Sequence, residues 1–184
     1  MAHVDIPPGT PPGTPGLMMY RQDTGGPLSQ LAEVLLREEN SLSRSERELI
    51  AAYVSYLNEC YFCWQTHRQM SVQQDEGADL ARLESLIDDF DGAPLKPKLR
   101  ALLVIAGQVT ISGRSVTTEL VASAKDAGAT DAEIHDTVLI SAAFCMYNRY
   151  CDGLAVLVPQ DPTAYVGMAQ HIISGGYSMC AKGH

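Results

Sequence analysis

From Leu28 to Ile173 the apolar residues recur at three- and four-residue spacing, and nowhere do they alternate along a run bounded by hairpin turns. That spacing decides the fold class, because it lines one face of a helix, whereas a half-buried strand needs a period of two. Leu28, Leu31 and Leu35 share one face. Leu49, Ile50, Tyr53, Val54 and Leu57 form a wider stripe, and Leu80, Leu83, Ile87 and Phe90 repeat it until "DGAP" at 91–94 breaks the chain. Leu99, Leu102, Leu103, Ala106 and Val109 follow, then Val116, Leu120, Val121 and Ala124, with Gly128 placed as a helix stop. A last helix takes in Tyr165, Met168, Ala169, Ile172 and Ile173. The expected class is all-α.

The helix starts carry their own signals. Ser43 or Ser45 can cap one helix, with Glu46 and Glu48 in its first turns, and Thr130 or Asp131 opens another. The middle of that second helix, "VLISAAFCMY", is apolar all round, which predicts a central, buried element. Segments 43–63 and 130–151 echo each other: an acidic start, an apolar run, then an Asn near a Cys. The echo hints at duplicated helical hairpins.

Before Leu28 the chain reads differently. Residues 7–27 hold "PPGTPPGTPG" and "TGGP", a composition that argues against helix and central strand. Residues 1–27 are therefore expected to form an extended N-terminal arm, and 28–184 a single helical domain. Leu17, Met18, Met19 and Tyr20 give that arm an apolar patch. So small a domain offers little for it to pack on, so a neighbouring subunit, and hence a homo-oligomer, is expected.

Charge and composition narrow the function. The net charge is −9, with four lysines among thirteen basic residues and no basic cluster, so a nucleic acid partner is not expected. No apolar run approaches the roughly 20 residues that cross a bilayer, so no membrane association is expected either. "MAHVDIPPGTPPGTPG" lacks a basic region followed by an apolar one, which makes a cytoplasmic location the expectation. Five cysteines, an odd number, argue against a disulfide framework.

The chemistry concentrates in "NECYFCWQTH", residues 58–67. Cys60 and Cys63 stand three apart and His67 four further on, so all three share a helix face. Asn58 is an N-cap candidate that puts both cysteines in a first turn, where free N–H groups and the helix dipole favour a thiolate. Three readings compete. A structural zinc site needs four ligands, and Cys60, Cys63 and His67 supply three. The cysteines could instead be small buried apolar residues beside an unrelated histidine. Or they form a dithiol/disulfide centre. The dipole favours Cys60 as the thiolate; the i, i+4 approach of His67 favours Cys63.

"ELIAAYVSYLNECYFCWQTH" also resembles the signature of the carboxymuconolactone decarboxylase/alkylhydroperoxidase D-like superfamily, in its peroxidase-related branch. That signature is a Glu, about a dozen residues, then C-x-x-C-x-x-x-H, with an Asn two before the first Cys; Glu48, Asn58, Cys60, Cys63 and His67 fill those places. "PLSQLAEVLLR", "LSRSERELIAAYVS", "APLKPKLRALLVIA" and "TDAEIHDTVLISAAFCMYNRYCDGLA" extend the likeness over about residues 17–177. The resemblance implies a compact helical fold assembled as trimers or hexamers, and reduction of a hydroperoxide. In that scheme Cys63 attacks the peroxide, Cys60 resolves the sulfenic acid, and His67 with Glu48 relays the proton. An external dithiol, of lipoyl or thioredoxin type, then reduces the disulfide. No haem, flavin or metal is required. Cys60→Ser should leave a sulfenic acid that dimedone traps. One position departs from the pattern: a second histidine expected between the cysteines is replaced by Phe62, beside Tyr61. The alternative implied by the same pair is dithiol–disulfide exchange, or a non-catalytic redox switch. The superfamily's decarboxylases lack the cysteine pair, so its presence argues against lactone decarboxylation.

The remaining candidates have plainer readings. Asn148, Arg149 and Asp152 are either a helix end held by an Arg–Asp pair or a pocket lining. Cys145 and Cys151 are expected to pack, and Cys180 to be a free thiol near the C-terminus. His135 and His171 are expected on helix surfaces, and His3 and His184 at chain ends without a role.

Overall fold

The computed structural model describes residues 2–77 and 80–178, and the regular structure of these residues is entirely helical. The order is α1 (Thr14–Tyr20), α2 (Gln22–Arg37), α3 (Arg44–Leu57), α4 (Tyr61–Gln73), α5 (Leu80–Asp88), α6 (Pro97–Ile111), α7 (Thr118–Asp126), α8 (Asp131–Gly153) and α9 (Thr163–Gly175), with a short 3₁₀ turn at Gly113–Ser115. The expected class holds. The expectations for Cys180 and His184 fall outside the described residues.

Helix starts follow the local signals. Ser43 caps α3 and Thr130 caps α8, each in a reciprocal capping box, with Glu46 and Glu133 respectively. Pro97 opens α6, where its missing N–H is not needed. Gly128, at φ 93°, turns the chain just past α7. The C-terminus of α2 is held by two cations: the Arg47 guanidinium donates to the Leu35 and Glu38 carbonyls, and Arg44 Nε donates to the Arg37 carbonyl.

The proline-rich opening does not stay extended. Helix begins at Thr14, and the boundary expected after residue 27 falls inside α2. Composition misleads there because position matters more than content. Pro15 sits in the first turn of α1, where no intrahelical bond is lost. Pro27 lies within α2, but the carbonyl it leaves unpaired is in the exposed first turn near Asp23, open to water.

α3 and α4 form an antiparallel hairpin packed on α8, with α6 and α9 against α8 and α4 in turn. α8 is central as expected, but not buried all round: Leu139 and Met146 are exposed on one side. The main core draws on α2, α3, α6 and α8 through Leu36, Ile50, Leu102, Ile140 and Phe144. A second, smaller cluster joins Leu17 to Cys60, Phe62, Cys63, Cys151, Val156 and Tyr165. Part of the apolar patch of the N-terminal segment therefore packs on its own chain, with Leu17 fully buried and Met18 buried, while Tyr20 stays 44% exposed. Leu17 and Met18 therefore need no partner subunit to cover them.

Two backbone bonds fix that segment over the end of α8: His3 N–H donates to the Leu154 carbonyl at 2.9 Å, and Gly13 N–H to the Leu157 carbonyl at 3.0 Å. His3 is thus tied down rather than frayed. Gly13 has φ 73°, and a Cβ there would lie 2.0 Å from the Phe62 ring. Only glycine lets the backbone lie on this ring.

Candidate active site

The α3–α4 hairpin turns within three residues. Asn58 is the C-cap of α3 rather than an N-cap of α4, Glu59 adopts φ 60°, and Cys60 is the residue that caps α4. Asn58 turns its amide away instead, donating to Asn148 Oδ1 at 2.9 Å, while Asn148 Nδ2 donates to Ser55 Oγ at 3.0 Å. This buried amide pair locks the hairpin turn to α8. Asn148 is therefore neither a helix-end residue nor a pocket wall. Arg149 donates to the Cys145 carbonyl and forms no ion pair with Asp152.

Locking the turn to α8 has a chemical result. Cys151, expected only to pack, brings its sulfur to those of Cys60 and Cys63, and all three atoms lie within 4.8 Å of one another. The four described cysteines are free thiols. The Cys60 sulfur also lies 3.3 Å from Asp152 Oδ1, and Thr14 Oγ1 lies 4.0 Å from Cys63 Sγ. Three sulfurs this close carry one negative charge readily and resist a second. Donation from Cys60 and Cys63 draws the Cys151 thiol down to about 4. The contact with Cys151, added to that with Cys60 and to burial, pushes Cys63 well above the ordinary thiol range. Cys60 is raised by the same neighbour. Of the three thiols Cys151 is thus the one drawn down, while Cys60 and Cys63 are raised, a redistribution that no local spacing encodes. Asp152, exposed as a residue, has its carboxyl partly buried against Cys60, and burial followed by the nearby sulfur charge pushes it up to about 7.

The second part of the site is a hydrogen-bonded triad. Glu48 on α3 is fully buried, and its Oε2 lies 2.6 Å from His67 Nδ1 on α4. Tyr177, beyond α9, donates to Glu48 Oε1 at 2.8 Å, and its hydroxyl lies 3.4 Å from His67 Nδ1. The imidazole stands edge-on to Phe144 at 4.6 Å between ring centres and lies nearly parallel to Tyr177. With Nδ1 held by Glu48, Nε2 is the ring nitrogen left for chemistry. Tyr177 carried no sequence signal. It is set by Gly176, whose φ of 83° turns the chain, and by Glu33, which accepts from the Tyr177 N–H at 2.6 Å.

The two parts meet at a cavity of about 370 Å³. Its walls are largely apolar: Pro11, Pro12, Met18 and Met19 from the N-terminal segment, Phe62 and Phe144, and Met168 and Ile172 of α9. Cys63 and His67 line it, and Cys60 and Cys151 do not. No hydrogen bond among the described residues joins Cys63 to His67, so the direct contact expected from i, i+4 spacing is replaced by two groups facing a shared space. His171 is on the helix surface as expected and also borders this cavity.

The three sulfurs could hold a thiophilic metal, but His67, counted from the sequence as a third ligand, is not in the cluster. A divalent ion on three thiolates leaves a net negative charge in a dry pocket, and no described basic side chain hydrogen-bonds to these sulfurs to offset it.

Comparison with known proteins adds a family match over part of the chain and a fold. The model of the carboxymuconolactone decarboxylase family matches residues 23–87, a span that holds Glu48, Cys60, Cys63 and His67. The fold is similar to the crystal structure of an uncharacterized peroxidase-related protein from Silicibacter sp. TM1040, with a TM-score of 0.77 at 23% identity over 90% of this chain and 94% of that one. It is also similar to an alkylhydroperoxidase AhpD core, an uncharacterized peroxidase-related protein from Ralstonia eutropha JMP134, with a TM-score of 0.72 at 20% identity over 82% of this chain and 77% of that one. No curated protein matches.

Proposed function

We propose that this chain belongs to the AhpD-like superfamily and is a thiol-dependent peroxidase that reduces organic hydroperoxides, a reading that the family match over residues 23–87 and the fold support. The observation that carries the reading is the cavity: of the three clustered sulfurs, Cys63 alone lines it, and His67 lines it with Cys63. The apolar walls favour a hydroperoxide with a hydrocarbon body over hydrogen peroxide.

The reaction follows from that placement. Cys63 is the nucleophile, giving its thiol proton to His67 Nε2 across the shared cavity as it reacts. It attacks the terminal oxygen; the O–O bond breaks, an S–O bond forms, and the departing alkoxide takes a proton from His67 Nε2. Glu48, with Tyr177 behind it, holds the imidazole and stabilises its charged form. Cys60 then attacks the sulfenic acid, an S–S bond forms, and water leaves. An external dithiol returns both sulfurs to thiols by exchange. Burial of Cys63 favours a small dithiol of the lipoyl type, able to enter the cavity, over a thioredoxin-type protein. Exposed Leu139 and Met146, one above the other on α8, support assembly into a homo-oligomer, a trimer or hexamer.

Trapping tests the first step. One equivalent of cumene hydroperoxide is added to the Cys60→Ser/Cys151→Ser protein with dimedone present, and the label is mapped by peptide mass spectrometry. The expected adduct is on Cys63. A protein that stays unlabelled, or labels only at Cys145, contradicts the reading.

A further inference from the structure

The mechanism above uses Cys60 as the resolving thiol, yet a second thiol lies equally within reach. Cys151 Sγ belongs to the same cluster, with every pair of sulfurs within 4.8 Å. Cys60 and Cys151 are both fully buried, on different helices, behind the one sulfur that faces the cavity. Cys60 caps α4 and Cys63 lies in its first turn, so a bond between them closes a very short loop. Cys151 lies in the last turn of α8, and the Asn58–Asn148 amide pair keeps that turn against the hairpin.

We propose that Cys151 is a third redox cysteine: it resolves the Cys63 sulfenic acid itself and exchanges with Cys60, so that oxidation is shared among three sulfurs. The inference rests on the peroxidase reading for its oxidant only. In the first step an organic hydroperoxide has oxidised Cys63 by two electrons and left as an alcohol. Cys151 sulfur then attacks Cys63 sulfur; the S–S bond forms, the S–O bond breaks, and hydroxide leaves as water with the proton of the Cys60 thiol. In the exchange, the Cys60 thiolate attacks Cys63, forms Cys60–Cys63 and releases Cys151 as a thiolate, with no net change in oxidation state. Cys151 is well placed to attack, because its sulfur lies within 4.8 Å of the Cys63 sulfur.

The two disulfides differ in what they hold. Cys60–Cys63 stays within one hairpin turn. Cys63–Cys151 ties the start of α4 to the end of α8 and closes a long loop, which constrains the unfolded chain far more. The oxidised Cys60→Ser protein is therefore expected to unfold at higher temperature than its reduced form.

The test uses the full chain as wild type, Cys60→Ser, Cys151→Ser and the double variant, with far-ultraviolet dichroism checking that each is folded and Cys151→Ala replacing any serine variant that is not. Each is treated with one equivalent of cumene hydroperoxide, capped with N-ethylmaleimide and mapped by mass spectrometry; a parallel set uses diamide, which oxidises thiols without a peroxide. Cys60→Ser is expected to give the Cys63–Cys151 cross-link with both oxidants and to lose the dimedone adduct, which returns in the double variant. A Cys60→Ser protein that keeps a dimedone-reactive Cys63 beside an alkylated Cys151, and forms no cross-link with diamide, overturns the proposal. A cross-link with diamide but no oxidation of any variant by the hydroperoxide retains the third thiol and rejects the peroxidase reading instead.

Discussion

Glu48 Oε2 and His67 Nδ1 lie 2.6 Å apart in a site where the carboxylate is fully buried and Tyr177 supplies its second hydrogen bond. A buried carboxylate held by an imidazole and a phenol fixes which ring nitrogen is free and where it points. The remainder of the site is arranged around that orientation.

Glu48→Gln keeps the shape and removes the charge. His67 can still reach the cavity, but its charged form loses the group that stabilises it. The first oxidation of Cys63 is expected to slow by about 10²-fold, the lower end of what a positioned proton donor supplies. Single-turnover oxidation in the Cys60→Ser/Cys151→Ser background, trapped by dimedone, reads this rate, and an unchanged rate removes Glu48 from the relay.

Tyr177→Phe removes one hydroxyl and leaves Glu48 Oε1 without its partner. A loss of about 1 kcal/mol in urea unfolding is expected, together with a slower first step. A variant with unchanged stability and unchanged rate assigns the hydroxyl no part in orienting the site.

Gly13→Ala places a methyl group inside the Phe62 ring at a backbone conformation that disfavours any side chain. Strain and overpacking together are expected to cost about 1–3 kcal/mol. Gly13→Ala combined with Phe62→Leu should recover the packing part and keep the backbone part. Strictly additive effects in the double-mutant cycle contradict the contact.

The cluster makes stability depend on pH in a stated direction. Folding lowers the Cys151 thiol to about 4 from the ordinary thiol range. A lowered acid contributes stability that is complete above its unfolded value and is lost as pH falls through its folded value. The stability advantage of wild type over Cys151→Ser is therefore expected to shrink as pH falls from about 9 towards about 4. An advantage that grows over that range gives the charge to another sulfur.

Much of this architecture is written locally. Ser43 with Glu46 and Thr130 with Glu133 mark helix starts because capping needs only residues three apart. Cys60, Cys63 and His67 are adjacent in sequence, and the family-like pattern brought in Glu48. The site's other half is not local. Tyr177 reaches His67 across a separation of 110 residues, and Cys151 joins the two cysteines through the packing of α8 on the hairpin, where Asn58 and Asn148 pair. The N-terminal segment departs from its expectation for another reason. Proline content argues against helix in general, whereas Pro15 occupies the one region of a helix that tolerates it. The arm so discounted supplies a wall of the cavity.

The most direct test is turnover. Wild-type protein is given excess cumene hydroperoxide with dihydrolipoamide as reductant, and peroxide loss is followed beside Cys63→Ser. The expected result is many peroxides consumed per chain, abolished by Cys63→Ser. Consumption that stops at one peroxide per chain, or that continues unchanged in Cys63→Ser, contradicts a peroxidase built on Cys63.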